Sequence, residues 1–230
     1  MEITPIAHIR TDFPTKFGLP RQSGLVEGLT GRIVFEPAYR QPEAFKGLEG
    51  FSHIWLLWDF SLAHMPAFSA TVKPPRLGGK THVGVFATRS PHRPNSIGLS
   101  SVRLDRIEYT EKGPVLHVSG VDMADGTPIY DIKPYVADYE SHPDARCGFT
   151  EATRDYALPV SDPDGLIAAS DLTPDQQAAL LEVLSQDPRP SYDADSTGSR
   201  RYGFFYCGYD VRFRVNEQGL YVTELVKTTP

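Results

Sequence analysis

The sequence has few of the features that mark membrane or secreted proteins. Only two of its 230 residues are cysteines, Cys147 and Cys207, and they stand 60 positions apart. Two isolated cysteines are most simply reduced thiols, which predicts a cytoplasmic protein without a disulfide. The longest apolar run, Ile54 to Trp58, is far shorter than the roughly 20 residues that cross a bilayer. Met1 to Pro5 lacks a signal-peptide pattern, so we expect neither a membrane span nor a secretory signal.

The common signatures of catalytic and cofactor sites are also missing. The chain contains no G-x-G-x-x-G, G-x-x-x-x-G-K-[ST] or G-x-S-x-G, which argues against a Rossmann site, a P-loop and a hydrolase elbow. Its seven histidines show no ligand spacing such as H-E-x-x-H, so we expect no metal site. His53 and His117 lie in predicted strands and are interpreted as structural.

Charge is distributed unevenly along a chain whose formal net charge is -6. Residues 71–106 contain seven Lys or Arg and one acid, whereas residues 107–199 contain eighteen acids and five bases. Phosphate contacts act over about a Debye length, roughly 10 Å at ordinary salt, so one basic segment can hold a polyanion locally. The acidic total therefore does not argue against RNA.

Short segments with alternating apolar residues predict a mainly β fold. The segment 51–60 is apolar on both faces, as in a strand between a barrel interior and a further contact. Glu111–Gly113 and Asp125–Gly126 have the composition of hairpin turns. No long helices alternate with the strands, which favours an N-terminal antiparallel single-sheet β-barrel over residues 1–140. The predicted strands are 3–10, 31–35, 51–60, 83–87, 97–109, 115–121 and 129–135.

The C-terminal part of the chain has a different pattern. Residues 141–172 are rich in Pro, Asp and Ser, which predicts a linker or wrapped loop. Thr173-Pro-Asp-Gln176 is a capping box that begins a helix. Residues 201–215 and 220–226 predict a hairpin with a basic outer strand. We therefore predict a small C-terminal α+β domain over residues 173–230.

The loop between strands 83–87 and 97–109 has the composition of a binding loop. From Thr88 to Asn95 it holds two arginines, a histidine, an asparagine and two prolines. Pro91 and Pro94 lack a backbone donor and bias the preceding residue away from helix, which stiffens the loop. A stiff loop rich in donors and without acids suits an electron-rich group. A solvated hairpin tip is the alternative.

Four sequence blocks, in this order, resemble the TsaA-like (TrmO) family: GLEGFSHIWLLWDFS, KPPRLGG, GVFATRSPHRPNSIGLSSVRL and DGTPIYDIKPY. The resemblance runs from about Ile3 to about Glu140 and continues more loosely through VLSQDPRPSY. Studied members of the family are homodimeric tRNA N6-threonylcarbamoyladenosine N6-methyltransferases that use S-adenosylmethionine. The resemblance thus implies a tRNA (adenine-N6)-methyltransferase acting at the position 3′ of the anticodon.

The resemblance also implies a set of cofactor contacts at loops and strand ends. Arginine offers paired donors to a carboxylate, glutamine binds purine edges, and aspartate accepts from an ammonium or a ribose hydroxyl. For Asp125–Gly126, a simple hairpin turn is the alternative. The loop Ser61 to His64 departs from the family pattern. The carried-over residues are Pro20, Arg21, Gln22, Arg89, Leu99 through its main chain, Asp125, Gly126 and Thr127.

Methyl transfer to the adenosine nitrogen depends chiefly on orientation. The predicted catalytic residues are Arg93 and Asn95, in an orienting role, and His92 is a less favoured general base. We expect the anticodon loop to be bound by basic residues near this loop and in the C-terminal domain. Each of these is alternatively a solvated surface charge. They are Arg76, Lys80, Arg103, Arg200, Arg201, Arg212 and Arg214.

Two other functions remain open at the level of sequence. One is an S-adenosylmethionine-using enzyme of the same fold that acts on a small molecule, which the acidic stretch 107–199 favours. The other is a non-enzymatic RNA-binding barrel, which the basic segment 71–106 favours. The second alternative leaves Pro20–Gln22 and Asp125–Thr127 unexplained.

Overall fold

The computed structural model describes residues 2–74, 77, 81–153, 156–190, 193 and 200–228. Backbone contacts divide the chain into two compact units. The first contains Met1–His64 and Asn95–Tyr135, and the second contains Met65–Pro94 and Val136–Pro230.

The structure is mainly β. Within the described residues the strands are, in chain order, β1 Ala7–Thr11, β2 Thr30–Phe35, β3 His53–Asp59, β4 Thr71–Val72, β5 Val83–Gly84, β6 Ile97–Thr110, β7 Gly113–Ser119, β8 Pro128–Pro134, β9 Val160–Ser161, β10 Tyr202–Tyr206, β11 Tyr209–Asn216 and β12 Gly219–Lys227. The α-helices are α1 Ala137–Glu140 and α2 Pro174–Ser185, and single 3-10 turns include Pro42–Phe45 and Val85–Ala87. In the described part of the chain, no helix has the length and apolar character needed to cross a bilayer.

The first unit is a closed antiparallel barrel with the strand order β1-β2-β7-β6-β3-β8, in which β8 pairs again with β1. Alternate residues of each strand point inward, because successive side chains of a strand face opposite sides. Ile9, Ile33, Leu56, Leu116 and Ile129 are fully buried and represent this core. The predicted mainly β barrel is therefore confirmed.

Local details of the barrel differ from the sequence predictions. The first strand begins at Ala7 rather than Ile3. In β3, Ile54 and Leu56 face the interior, while Trp55 and Leu57 are half-buried rather than fully enclosed.

Asp125–Gly126 does not turn a hairpin, because β7 pairs with β2 and β6 whereas β8 pairs with β1 and β3. The hairpin interpretation of this turn was therefore wrong. The conformation of this turn is set instead by main-chain hydrogen bonds to the N-terminal part of the chain.

The second unit contains a four-stranded sheet in the order β10-β11-β12-β9, together with the short pair β4-β5. Helix α2 begins as its sequence predicts. The Thr173 side chain accepts from the Gln176 amide, and the Gln176 side chain binds the Thr173 backbone. The Tyr206 hydroxyl of β10 donates to the Gln176 carbonyl at 3.3 Å, which joins the helix to the sheet.

Two predictions for the second unit were wrong. Residues 201–215 are not one strand but β10 and β11, which separate at Cys207 and Gly208, both with positive φ. Residues 83–87 are not one buried strand either, because the chain turns into a 3-10 helix at Val85 and leaves Phe86 73% exposed. The two cysteines, both within the described residues, do not form a disulfide.

Candidate functional site

The Asp125–Gly126–Thr127 turn is held along β1 by its main chain. The Asp125 amide donates to Phe13 at 2.7 Å, and the Gly126 amide donates to Ile9 at 2.8 Å. The Ile9 amide donates in turn to the Thr127 carbonyl at 3.0 Å. Gly126 has φ +77, which a glycine adopts without strain. The turn is thus fixed by non-local contacts, which hold the Asp125 side chain in a defined position.

The Asp125 carboxylate is oriented by two donors of β1. The Thr11 amide donates to Oδ1 at 3.1 Å, and Arg10 Nη1 donates to Oδ2 at 3.3 Å. Each oxygen keeps a further lone pair, since a carboxylate offers about four acceptor sites. Asp125 can therefore accept from an ammonium or hydroxyl group while it remains anchored.

The loop that carries Pro20, Arg21 and Gln22 is fixed to the same part of the barrel. The Gly24 amide donates to the Gly120 carbonyl at 2.9 Å, just beyond the end of β7. Pro20 is buried, and Arg21 and Gln22 are half-buried with further contacts of their own. The structure thus attaches this loop to the segment that leads from Gly120 to Asp125.

A buried hydrogen-bond chain joins β3, β6 and that same segment. Trp58 Nε1 donates to Ser100 Oγ at 2.9 Å, and Ser100 Oγ donates to Asp122 Oδ1 at 2.7 Å. A side chain at Gly98 would overlap the Trp58 ring, so the indole needs a glycine there. Sequence reasoning missed this chain, although a serine on the buried face of an apolar strand signals a required partner. Leu99, the neighbour of Ser100 on β6, has a side chain that is 46% exposed.

A second cluster that the sequence did not reveal lies at the end of β3. His64 Nε2 lies 2.7 Å from Asp59 Oδ1, and the Asp59 side chain is only 14% exposed. Burial, together with the charge and hydrogen bond of Asp59, raises the pKa of Tyr130. Tyr130 is therefore protonated at neutral pH, and its hydroxyl donates to Asp59. Asn95, in the same unit, is exposed.

In the second unit, residues 85–93 form a tightly bonded loop. Arg93 Nη1 donates to the Thr88 carbonyl at 2.7 Å and to the Val85 carbonyl at 3.3 Å, and its guanidinium lies 6.0 Å from the centre of the Phe86 ring. Arg93 thus stabilises the loop. The Arg89 side chain is exposed and has contacts of its own.

His92 stands out in the loop 85–93 for an unsatisfied ring nitrogen. Its Nδ1 is buried and has no hydrogen-bond partner within the described ranges.

Most of the arginines predicted to bind RNA already bind an acid. Arg103 donates to Asp105 at 2.9 Å and to Ser119 at 3.0 Å. In the C-terminal sheet, Arg200 pairs with Asp193, Arg201 with Glu224 and Arg212 with Asp210.

Arg214 is different from the other arginines of this set. It pairs with no acid among the residues described, and its Nε is buried without a partner. Arg76 and Lys80 lie outside the described residues.

The donor set of the first unit fits S-adenosylmethionine. That molecule carries a carboxylate, an ammonium, a ribose diol and an adenine, which require both donors and acceptors. Arg21 and Gln22 carry side-chain donors, and the anchored Asp125 carboxylate carries acceptor oxygens. Among the described residues, no group of three or more His, Cys, Asp and Glu side chains is placed to hold a metal ion.

Comparison with known proteins identifies the family. Residues 8–141 match the model of the tRNA-methyltransferase O N-terminal domain, and residues 165–228 match the TrmO C-terminal domain. The chain is 38% identical over 224 residues to the tRNA (adenine(37)-N6)-methyltransferase of Escherichia coli K12, covering 96% of this chain and 95% of that protein. It is 39% identical to a protein of Pseudomonas aeruginosa named putative S-adenosylmethionine-dependent methyltransferase RcsF, covering 92% and 91%.

The fold agrees with these sequence matches. A crystal structure of TrmO from P. aeruginosa is similar with a TM-score of 0.73 at 34% identity, covering 99% of this chain and 97% of that one. The protein is therefore a methyltransferase built on a closed β-barrel. Specifically, the chain belongs to the tRNA-methyltransferase O family, with both the N-terminal and the C-terminal domain of that family.

Proposed function

We propose that the protein transfers a methyl group from S-adenosylmethionine to N6 of threonylcarbamoyladenosine, at the position 3′ of the tRNA anticodon. The observation that carries this proposal is similarity along almost the whole chain to a relative named tRNA (adenine(37)-N6)-methyltransferase. The threonylcarbamoyl substrate rests on the family resemblance of the sequence blocks around residues 84–104 and 125–135.

The cofactor contacts in this proposal are those carried over from the family. Asp125, Gly126 and Thr127 would hold the cofactor together with the Pro20–Gln22 loop, Arg89 and the main chain of Leu99. The anchoring of Asp125 on β1 supports this assignment, because a carboxylate already oriented loses little entropy on binding. When bound, S-adenosylmethionine supplies an electrophilic methyl group on a sulfonium.

The chain must then orient the adenosine and accept the proton that leaves N6. The lone pair of this nitrogen is delocalised into the purine and the carbonyl, so loss of the proton assists attack. We assign orientation to Asn95, and to Arg93 through the loop that it stabilises. His92 is the titratable group of that loop with an unsatisfied ring nitrogen, which supports testing it as the proton acceptor.

The remaining assignments concern organisation and partners. We propose a barrel domain over residues 1–140 that binds cofactor, a wrapped linker over 141–172, and a small α+β domain over 173–230. The proposed enzyme is a cytoplasmic homodimer. Leu62 and Ile97, which are 51% and 39% exposed on the barrel unit, support a further contact surface.

The candidate RNA-binding residues differ in whether an acid already binds them. Arg214, which binds no acid among the described residues, is the C-terminal arginine best suited to contact the anticodon loop. Arg103, Arg200, Arg201 and Arg212 would first have to exchange an acid for a phosphate. Arg76 and Lys80 keep their assignment from the sequence alone.

Nucleoside mass spectrometry tests the reaction directly. Threonylcarbamoylated tRNA, incubated with the purified protein and S-adenosylmethionine, should gain one methyl group on the hypermodified adenosine. Unmodified tRNA in parallel shows whether the threonylcarbamoyl group is required. Intact cofactor binding with an unchanged nucleoside pool would instead favour a small-molecule substrate.

Variants test the residue roles. Arg89→Ala should abolish measurable S-adenosylmethionine binding in calorimetry, whereas Lys112→Ala, a change at the exposed tip between β6 and β7, should leave it intact. Asn95→Ala and His92→Asn should lower the turnover rate while cofactor affinity stays within about twofold. Binding of RNA without any dependence on the cofactor would support a non-enzymatic barrel.

A further inference from the structure

Four basic side chains form one row across four neighbouring strands of the barrel. In the strand register, Arg10 of β1 lies opposite Arg32 of β2, Arg32 lies opposite His117 of β7, and His117 lies opposite Arg106 of β6. Their neighbours Ile9, Ile33 and Leu116 are buried in the barrel, so the row faces outward. Like charges placed directly opposite one another destabilise a sheet. Such a row therefore requires compensating anions.

Acids compensate the two ends of the row. Arg10 donates to Asp125 at 3.3 Å. At the other end, Glu108 Oε2 lies 2.6 Å from His117 Nε2 and 3.6 Å from Arg106 Nη2. The hydrogen bond from His117, followed by the nearby positive charges, lowers the pKa of Glu108. This carboxylate is thus ionised at neutral pH, bonds to the β6–β7 end of the row and also acts through its charge on Arg32.

Arg32, between these ends, feels the charge of Glu108 but has no acid bonded to it. Its side chain is exposed and forms no hydrogen bond or ion pair with any residue that the structure describes. Both of its cross-strand neighbours are basic. The positive charge at the centre of the row is therefore available to an external anion, and the paired donors of arginine fit a phosphate.

The row lines a groove with a volume of about 480 Å³, within the range of small-ligand sites. Three aspartates also line the groove. Asp125 binds Arg10, and Asp105 binds Arg103 and Ser119. The third, Asp12, is half-buried and has no hydrogen-bond or ion-pair partner in the described part of the chain. The groove therefore combines one guanidinium that has no bonded acid with one carboxylate that has no bonded donor.

We propose that this groove binds the phosphate and ribose of one ribonucleotide, with the phosphate on Arg32 and a ribose hydroxyl that donates a hydrogen bond to Asp12. A ribonucleotide carries both an anion for the arginine and a 2′-hydroxyl donor for the aspartate. The same unit occurs in the RNA backbone and in a free nucleotide. If the ribonucleotide is part of an RNA chain, the inference rests on the proposed tRNA substrate. If it is a free nucleotide, the inference does not depend on that proposal.

Two binding experiments test the site. The first titrates fluorescently labelled tRNA with the wild type, Arg32→Gln and Lys112→Gln at several salt concentrations. Lys112→Gln is the matched control, because it removes one exposed cation from the same barrel outside the groove. Arg32→Gln should weaken tRNA binding about tenfold and reduce the salt slope by about 0.7–0.9, the range for one lost phosphate contact on single-stranded to double-stranded nucleic acid. The control should change affinity less than about twofold.

The second experiment uses adenosine monophosphate and its 2′-deoxy form in calorimetry with wild type, Arg32→Gln and Asp12→Ala. The wild type should prefer the ribonucleotide by about fivefold, the effect of one hydrogen bond, and Asp12→Ala, which removes the acceptor, should remove the preference. Loss of nucleotide binding in Arg32→Gln without any change in tRNA affinity would identify the occupant as a free ribonucleotide. Identical behaviour of Arg32→Gln and Lys112→Gln toward both ligands would overturn the site.

A methylation assay on the same samples keeps this inference separate from the proposed function. If the wild type leaves tRNA unmethylated but binds the nucleotide, and Arg32→Gln loses this nucleotide affinity, the result contradicts the proposed reaction and supports the groove. If the wild type methylates tRNA but binds no nucleotide, and Arg32→Gln keeps the same methylation rate and tRNA affinity, the result supports the reaction and contradicts the groove.

Discussion

The barrel of the first unit and the second unit, which contains Met65–Pro94 and Val136–Pro230 and is named the C-terminal unit, fix their loops with buried polar contacts of different kinds. In the barrel, the uncharged side chains of Trp58 and Ser100 form a hydrogen-bond chain that ends on the half-buried Asp122 carboxylate. In the C-terminal unit, Asp187 and Arg189 form a two-point ion pair at 2.7 and 2.9 Å, with both side chains no more than 5% exposed.

These two kinds of contact have different energetic consequences. Removal of one partner from a buried ion pair leaves a charge without compensation, which costs more than the loss of a neutral partner. The C-terminal unit should therefore be the more sensitive of the two to single substitutions and to acid.

The two units can be monitored separately. Both tryptophans, Trp55 and Trp58, belong to the barrel, so their fluorescence reports its unfolding. Helix α2 belongs to the C-terminal unit and contributes a far-UV circular dichroism signal. Denaturant titrations followed by both probes thus assign each loss of stability to its unit.

The largest expected effect is that of Asp187→Asn. This change keeps the size of the side chain and tolerates the φ of +53 at this position, since Asn adopts the left-handed region readily. It leaves the Arg189 charge buried, which should lower the free energy of unfolding by about 3–5 kcal/mol at neutral pH. The loss should be observed in the circular dichroism titration. Equal stability of both proteins would show that the pair contributes nothing.

Acid should remove the difference between Asp187→Asn and the wild type. Burial alone would raise the pKa of Asp187, but the hydrogen bonds and charge of Arg189, with Tyr156, outweigh it and hold the pKa below its ordinary value of 3.8. A depressed pKa stabilises the folded state above that value, and the contribution is lost as pH falls through the folded pKa. The gap between the two proteins should therefore shrink from about pH 5 downward. A constant gap would contradict the linkage.

A smaller effect is expected for Ser100→Ala in the barrel. This change removes the acceptor of Trp58 Nε1 and a donor to Asp122, which should cost about 1–3 kcal/mol in the fluorescence titration. Ser101→Ala is the matched control, because Ser101 is the half-buried neighbour on the opposite face of β6. The control should stay within about 0.5 kcal/mol of the wild type. A cost for Ser100→Ala equal to that of Asp187→Asn would contradict the contrast between the units.

The smallest loss of stability is expected for an exposed hydrogen bond between uncharged groups, at the start of α2. Thr173→Ala removes the side-chain acceptor of the Gln176 amide at the start of α2 and should cost about 1 kcal/mol. Thr173→Ser, which keeps the hydroxyl, should lose only a small part of this free energy of unfolding. If the serine variant loses as much as the alanine variant, the hydroxyl is not responsible.

Features set by local sequence could be predicted. The alternation in residues 31–35 located β2, and Thr173-Pro-Asp-Gln176 located the start of α2, because strand faces and caps depend on neighbouring residues. The closed barrel followed from short strands without intervening long helices.

Features that depend on distant partners could not be predicted in the same way. The Asp125–Gly126 turn resembled a hairpin, but its conformation is set by β1, more than a hundred residues earlier. The separation of β10 from β11 was missed because Cys207 adopts a positive φ that cysteine rarely adopts. The row through Arg32 required the strand register, which no single segment encodes.

Arg10 belongs both to the basic row and to the anchor of Asp125. A ligand that draws this guanidinium toward the groove weakens its bond to Asp125, and a ligand on Asp125 weakens its hold on the row. Thermodynamic linkage makes such an influence reciprocal, so one ligand changes the affinity of the other by the same factor in both directions. Through a single arginine on β1, the proposed nucleotide and the proposed methyl donor would therefore each change the affinity of the other.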